Sequence, residues 1–338
     1  MTKPDQRRLN VAIVGATGLV GETVARILEE RSFPIASLRA FGTTRSAGAR
    51  LRVSGCEAQV EALEDARDPF AGIDVAFFSA GDAVSRRHAR QAIDAGAFVV
   101  DKSGVFRLDP QTPLVVPEAN ADAIGVHRLI ANPNCSTIPL AVVLAPIQRE
   151  FGLAWVSVST YQSVSGAGKD ALGEFEAQTR GDDTVKFLPR RIVGNVIPEN
   201  GSWDDSGYGE EERKIAAELR KVLGRPDLPV SATSVRVPVA VGHGEAVSFM
   251  TARPATREKL AALLPAAPSV HFYEGTGYAS PLDIAGADDD VHVGRLRADT
   301  AHAGAFMLWL ACDNLRKGAA TNAVQIVEYA LRAAQVPA

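Results

Sequence analysis

The chain has 338 residues, enough for about two domains with full cores. Hydrophobic residues make up 46% and charged residues 22%, the balance of an ordinary globular protein, and 36 Lys and Arg against 40 Asp and Glu leave a net charge of −4. That charge excludes a broad nucleic-acid surface driven by net charge but allows a local cationic pocket for a small anion. Three cysteines, Cys56, Cys135 and Cys312, exclude a disulfide scaffold and a cysteine-rich zinc site, so no metal is expected.

Met1 to Asn10 is polar and shows no apolar leader. The longest apolar stretches, Ile138–Ile147 (broken by Pro139 and Pro146) and Ala303–Cys312, are too short to cross a bilayer. A cytoplasmic, reducing setting without membrane contact is the expectation. In order along the chain, Leu9–Val14 reads as a strand, followed by a glycine-rich turn and a helix through Glu30. Leu38–Phe41, Val75–Ser79, Phe98–Asp101 and Leu129–Ala131 read as further strands, with a polar helix over Ser85–Ala95. Strands alternating with helices predict a doubly wound parallel sheet of Rossmann type. Past about residue 150 the pattern changes. Ala154–Tyr161, Val230–Val241 and Glu245–Ala252 alternate, with Val235, Val237 and Val239 on one face. This half predicts an α+β domain with a mainly antiparallel, one-sided sheet that could pack on a partner subunit. Thr321–Ala334 is an amphipathic helix.

Gly15-Ala16-Thr17-Gly18-Leu19-Val20-Gly21 closes the first strand and opens the first helix. Glycines there allow a tight turn and close backbone approach to a pyrophosphate, and the helix N-terminus supplies N–H donors. An NAD site usually places an acid after the second strand to hold the ribose 2′-hydroxyl. Here Phe41-Gly42-Thr43-Thr44-Arg45-Ser46 offers hydroxyls and a guanidinium, which suits the 2′-phosphate of NADP. Asp82, beside Gly81, would face a pyrophosphate awkwardly unless it points away, so dual use of NAD and NADP stays open.

Cys135 lies in Asn132-Pro133-Asn134-Cys135-Ser136-Thr137, just ahead of apolar residues at helical spacing. A helix N-terminus there favours the thiolate and could stabilise an oxyanion. Cys56 falls in a polar strand or turn, and Cys312 reads as a packed core thiol. A nucleophilic cysteine beside a nicotinamide site points to thioester chemistry, in which a thiolate takes an activated acyl group and a hydride reduces it. Of six histidines, His243 in Gly242-His243-Gly244 is the best placed acid or base, although a lone histidine at a strand pause is as readily structural.

The constellation resembles the aspartate-β-semialdehyde dehydrogenase family along nearly the whole chain. The matching pieces are Gly15–Gly21, Thr44-Arg45-Ser46-Ala47-Gly48, Val100-Asp101-Lys102-Ser103, Phe106-Arg107, Val115-Val116-Pro117-Glu118 and Asn132–Thr137. They continue through Gln162-Ser163-Val164-Ser165-Gly166-Ala167-Gly168, Gly207-Tyr208, Glu211-Glu212-Arg213-Lys214, Arg236-Val237-Pro238, Gly242-His243, Asp313–Ala320 and Asn322-Ala323. The resemblance implies Cys135 as nucleophile, His243 as general acid and base, and Gln162 as the residue that orients the acyl-enzyme. It implies Arg107 and Lys214, helped by Asn134, at the phosphate, Arg236 at the substrate carboxylate and Glu211 at its ammonium. Those chemistries agree with the residue types, since a guanidinium matches a carboxylate and clustered cations match a phosphoryl group. Glu211 and Lys214, three apart on a predicted helix, are expected to face one pocket. NADP is implied at Gly15, Thr17, Gly18, Leu19, Val20, Thr43, Thr44, Arg45, Ser46, Ser79, Ala80 and Gly81, and at Ser165, Gly166, Asn314 and Asn322.

The implied reaction is reductive dephosphorylation of L-4-aspartyl phosphate to L-aspartate 4-semialdehyde, on the route to lysine, threonine, methionine and diaminopimelate. Residues 1–132 are expected to form the NADP domain, with the helix 317–338 returning to it. Residues 133–316 are expected to form a catalytic and dimerisation domain, and the protein a homodimer. Two other readings stand beside this one. N-acetyl-glutamyl-phosphate reductases use the same chemistry, but their cysteine motif usually reads Asn-Pro-Gly-Cys-Tyr, and an acid such as Glu211 has no ammonium to meet in an acetylated substrate. A non-catalytic nucleotide-binding paralogue would have no physical reason to hold Cys135, Gln162, Arg107, Arg236 and His243 together.

Overall fold

The computed structural model describes residues 7–333. The last residue expected of the amphipathic helix, Ala334, the rest of 334–338 and the polar start at 1–6 lie outside the described residues. In chain order the elements are β1 Leu9–Val14, α1 Leu19–Glu30, β2 Ile35–Gly42, β3 Arg50–Val53, β4 Cys56–Ala62, β5 Val75–Phe78, α2 Asp82–Asp94 and β6 Phe98–Asp101. Then come α3 Pro117–Asn120, β7 Leu129–Ala131, α4 Thr137–Phe151, β8 Leu153–Gln162, α5 Lys169–Thr179, α6 Glu210–Val222, β9 Val230–Arg236 and β10 His243–Thr251. The chain continues through α7 Arg257–Leu263, β11 Val270–Phe272, α8 Pro281–Ile284, β12 Val291–Ala298, β13 Ala305–Cys312 and α9 Thr321–Arg332. A π-helical turn, Arg316–Ala320, precedes α9.

Two compact units result. One takes the chain up to Pro117, Ala121–Pro133 and the chain from Ala319; the other takes Glu118–Asn120 and Asn134–Gly318.

The first unit holds a seven-stranded sheet in the order β3-β4-β2-β1-β5-β6-β7, parallel except for the β3–β4 hairpin. Its central strands are apolar on both faces because both faces are covered. Val11 and Ile13 pack with residues of α1 and α9, while Ala12 and Val14 pack on the other side with Ala89 and Ala92 of α2. Strand order reverses at β1, whose neighbours are β2 and β5. The loops leaving β1 and β5 therefore flank the crevice where an open α/β sheet binds ligands.

The second unit holds a six-stranded sheet in the order β11-β12-β13-β10-β8-β9. The three central pairings are antiparallel, and the outer pairs β11–β12 and β8–β9 are parallel. One face is buried: Val156, Val158, Thr160 and Gln162 on β8 lie alongside His243, Glu245, Val247 and Phe249 on β10. The opposite face leaves Trp155, Tyr161, Ser248, Met307 and Trp309 at least partly exposed.

Two sequence expectations need correction. The strand expected over Val230–Val241 ends at Arg236, so Val237 and Val239 do not continue its face. Pro238 has no N–H to extend a ladder, and the Val239 N–H instead turns back to the Val237 carbonyl at 2.8 Å. The β3–β4 hairpin was not expected as a unit. Its charged alternation carries no apolar signal, and Ser54 and Gly55, both at positive φ, make its turn.

Candidate active site

The β1–α1 turn is built for close approach. Gly15 has φ of +87°, and a Cβ there would lie 2.8 Å from the Ser79 carbonyl carbon; a Cβ on Gly21 would lie 2.1 Å from the Gly15 oxygen. Gly18 caps α1 without a side-chain bond, which leaves the first N–H groups of the helix aimed at the crevice. Thr17, Leu19 and Val20 complete the turn and are half-buried. Ser79 is fastened by its Oγ to the Val14 carbonyl at 3.0 Å, and Ala80 and Gly81 are exposed beside it. After β2, Thr43, Thr44 and Arg45 are exposed, and Ser46 closes a one-turn capping box onto Thr43. Asp82 points away from the crevice loops: its Oδ1 accepts the Gly104 N–H at 2.9 Å. Shape and donors at these loops fit a dinucleotide, and the exposed hydroxyls and guanidinium fit a 2′-phosphate.

Arg107 also belongs to the first unit. It is 6% exposed, and its guanidinium donates to the Lys102 carbonyl at 2.7 Å. Below it Asp101 accepts from the hydroxyls of Ser85 and Ser103, both at 2.5 Å. Burial raises the Asp101 pKa, against the lowering effect of those hydroxyls and of Arg107. Asn322, fully buried, donates to the Val115 carbonyl at 3.0 Å and to Asn132 Oδ1 at 2.7 Å.

The second unit gathers the reactive side chains. Cys135 sits in the turn that opens α4 and is half-buried. Its Sγ lies 3.3 Å from His243 Nε2. His243, 1% exposed, stands at the start of β10. The Ser163 N–H reaches His243 Nδ1 at 3.1 Å and Ser163 Oγ lies 3.0 Å from the same nitrogen, so Nδ1 is held and Nε2 is presented to sulfur. Asn314 fixes this corner. Its Oδ1 accepts from Gly242 N–H at 2.9 Å and from Ser163 Oγ at 3.1 Å, and its Nδ2 donates to Ser165 Oγ at 3.0 Å. Both ends of the Asn314 amide are thus engaged inside the protein.

Gln162 ends β8 and donates from Nε2 to Ser136 Oγ at 3.0 Å and to Glu211 Oε1 at 3.2 Å. Asn134 Nδ2 donates to the same Glu211 oxygen at 2.7 Å. The Asn134 main-chain N–H donates to Glu218 Oε2 at 2.6 Å, and its Oδ1 accepts from Ser136 N–H at 2.8 Å. Arg236, 8% exposed rather than outward-facing, donates to the Ser163 carbonyl at 2.8 Å. Burial lowers its pKa, while Cys135 and Glu211 pull the other way; a guanidinium keeps its proton regardless. Gly166 explains itself here, because a Cβ would lie 2.9 Å from Arg236 Nη1 and 3.2 Å from the His243 ring.

On α6, Glu211 accepts from Asn134 and Gln162, while Lys214 Nζ pairs with Glu210 at 2.5 Å. Sequence reasoning passed over Ser163, Ser136 and Glu218. None carries a motif of its own, although Glu218 lies seven residues from Glu211 and so shares its helix face. Cys312 is a buried thiol whose pKa burial pushes well up, and Cys56 is half-buried at the start of β4. Among the described residues no group of three or more His, Cys, Asp or Glu side chains could hold a metal ion, and no helix is long and apolar enough to cross a membrane.

Comparison with known proteins gives concordant matches. Residues 10–127 match a family model described as semialdehyde dehydrogenase, NAD binding domain, and residues 144–317 one described as semialdehyde dehydrogenase, dimerisation domain. The chain is 45% identical over 334 residues to an aspartate-semialdehyde dehydrogenase of Legionella pneumophila, covering 95% of each. It is 42% identical over 339 residues to that of Bacillus subtilis, covering 95% of this chain and 97% of the other. A crystal structure of aspartate semialdehyde dehydrogenase II from Vibrio cholerae, complexed with ASA, superposes with a TM-score of 0.93 at 39% identity over 97% of this chain and 99% of that one.

Proposed function

The chain belongs to the aspartate-semialdehyde dehydrogenase family, and from that premise we propose that it reduces L-4-aspartyl phosphate to L-aspartate 4-semialdehyde and inorganic phosphate with NADPH. The observation that carries the reading is the Cys135–His243 pair at 3.3 Å, with Nε2 of the imidazole presented to sulfur. A Cys-His pair beside a buried guanidinium and an amide-bound carboxylate suits covalent capture of a zwitterionic acyl phosphate.

Cys135 Sγ gives its proton to His243 Nε2 and attacks the acyl carbon; the new C–S bond replaces the C–O bond to phosphate, and inorganic phosphate leaves. NADPH, when bound, supplies the hydride that reduces the thioester. The proton now on His243 Nε2 lies within reach of oxygen on the carbon attached to sulfur, so His243 acts as base toward the thiol, as general acid in reduction and as base in the reverse direction. Collapse of the tetrahedral adduct breaks the C–S bond, passes the hydroxyl proton back through His243 to sulfur and releases the aldehyde.

Gln162 orients the acyl group from the end of β8. Arg236 takes the substrate α-carboxylate through its free donors, and Glu211 takes the α-ammonium. That ammonium replaces the amide N–H groups of Asn134 and Gln162, which hold the Glu211 oxygen in the structure. Arg107, Lys214 and Asn134 serve the phosphate; Lys214 must swing from Glu210 to do so, and a long lysine stem allows it. The nucleotide would be held by the β1–α1 turn, by Thr43, Thr44, Arg45 and Ser46 as the set suited to a 2′-phosphate, and by Ser79–Gly81, with Ser165, Gly166 and Asn322 completing the set and Asn314 acting through its bonds to Ser165 and Ser163. The half-exposed face of the second sheet, with Tyr161 against Trp309 at 5.7 Å, supports a homodimer.

The deciding measurement is phosphate-dependent NADPH formation from aspartate semialdehyde, followed for the wild type and for Cys135→Ala, with NAD and NADP in parallel. The reading requires activity in the wild type, a preference for NADP, and its loss in the variant. Retained activity without the thiol would end the covalent mechanism. Turnover of N-acetylglutamate semialdehyde in preference to aspartate semialdehyde would reassign the substrate.

A further inference from the structure

We propose that Glu218 is the positioning residue for the nucleophile, holding the Cys135 turn in place from α6 by accepting the Asn134 main-chain N–H. The turn has a structural difficulty. Residues that open a helix have N–H groups with no intrahelical acceptor, and here they are buried: Asn134 is 7% exposed and Ser136 fully buried. Ser136 N–H is satisfied locally by Asn134 Oδ1 at 2.8 Å. Asn134 has no comparable local solution, and its N–H points at Glu218 Oε2, 2.6 Å away and 84 residues along the chain. Glu218 is 1% exposed, far more buried than a glutamate normally is without a specific partner.

Glu211 and Glu218 lie about two helical turns apart on one face of α6, and both end on Asn134. Glu211 takes the side-chain amide and Glu218 the main chain. The two contacts have different fates in the proposed reaction. Substrate ammonium competes for Glu211, so the amide contact is exchangeable. The Glu218 contact faces the backbone and stays through the cycle, fixing the residue that directly precedes Cys135 while that residue's own side chain changes partner. This inference rests on Cys135 being the nucleophile, which the Cys135→Ala assay tests separately.

Two variants and one exchange measurement test the role. Glu218→Gln keeps an acceptor oxygen at the same reach, whereas Glu218→Met keeps the bulk and removes the acceptor. For Glu218→Met we expect kcat to fall roughly tenfold or more, with KM for phosphate and for the aldehyde within about threefold. The pH profile for alkylation of Cys135 by iodoacetamide, read by peptide mass, should shift; Glu218→Gln should stay near wild type in both. A folded Glu218→Met with wild-type kcat and an unmoved alkylation profile would overturn the proposal. So would a variant that changes KM alone, which would make Glu218 a substrate-binding residue. If Glu218→Met does not fold, hydrogen exchange in the wild-type protein decides. The Asn134 amide should be strongly protected without substrate, and exchange at the rate of an open loop would refute the bond.

Discussion

Glu245 offers the most quantitative test of the second unit. It stands on β10 two residues after His243, on the same buried face, opposite Leu310 of β13 and Thr160 of β8. It is fully buried, neither carboxyl oxygen meets a protein hydrogen-bond partner, and burial raises its pKa well above 4.5. An unpaired charge there would be far costlier than a retained proton. The folded protein therefore keeps Glu245 protonated at pH values where the unfolded chain has released that proton. A carboxyl with a raised folded pKa penalises stability in a fixed direction. The penalty is absent below about pH 4.5, grows as pH rises, and levels off once pH passes the folded value. Across the growing region each pH unit removes about 1.4 kcal/mol from the unfolding free energy.

Glu245→Gln has the same shape and no titrating proton. Its own cost as a buried amide shifts stability by a constant at every pH. The difference in unfolding free energy, variant minus wild type, should thus climb with pH above about 4.5, approaching about 1.4 kcal/mol for each pH unit while the pH stays below the folded pKa. In thermal melts that is on the order of 3–5 °C per unit for a domain of this size. Urea melts at pH 5.5, 6.5 and 7.5 on both proteins measure it directly. Catalysis should stay within about threefold at any pH where Glu245 keeps its proton, because both side chains are then uncharged beside His243. Parallel stability curves across this range would mean that Glu245 titrates alike folded and unfolded, and would refute the reasoning.

Other outcomes follow from the same geometry. Lys317 is fully buried against Glu118 at 2.7 Å, and although burial acts to raise the Glu118 pKa, Lys317 and Ser269 bring it below 4.5. Glu118→Ala should cost about 3–5 kcal/mol in denaturant melts by removing the carboxylate paired with a buried ammonium, and the wild type should lose this pair's stabilisation as pH falls below 4.5; an unchanged midpoint would remove the pair from the fold's support. Gly166→Ala puts a methyl 2.9 Å from Arg236 and 3.2 Å from His243, so kcat/KM for the aldehyde should fall at least tenfold while the melting temperature moves little. Arg45→Ala should raise KM for NADPH about tenfold and leave KM for NADH unchanged; equal effects on both would take Arg45 off the 2′-phosphate.

The sequence was legible where chemistry and local geometry coincide. Gly15–Gly21 had to be glycine-rich because Ser79 and Gly15 backbone atoms occupy the space of a side chain, and the pattern falls between a strand and a helix. Cys135 was legible because its turn opens an apolar helix. The β3–β4 hairpin was not, because its outward charges give no burial signal at an edge. Val237 and Val239 misled because alternation continued in the letters after Pro238 had ended the ladder. Arg236 shows the deeper limit. By itself it is an ordinary strand charge; its burial depends on the Ser163 carbonyl, 73 residues earlier, and on Gly166 leaving room beside its guanidinium.

The same limit explains why the supporting residues stayed hidden while the reacting ones did not. A nucleophile must be a residue type with special chemistry, so Cys135 and His243 stand out among a few candidates. A support needs only an acceptor or donor in the right place, and the chain holds many carboxylates and hydroxyls that could serve. Ser163 acts on His243 through its backbone N–H, which any residue but proline would supply, and through its Oγ, 3.0 Å from Nδ1. Asn314 closes the corner by joining Ser163 and Ser165, 151 and 149 residues earlier, to Gly242, 72 residues earlier. The orientation of the imidazole, with Nε2 toward sulfur, is thus set by main-chain donors, a hydroxyl and an amide that only the fold brings together. Substitution at Asn314 should accordingly disturb the alkylation pH profile of Cys135 even in assays without nucleotide, and a profile unchanged by Asn314→Ala would separate that corner from the orientation of the ring.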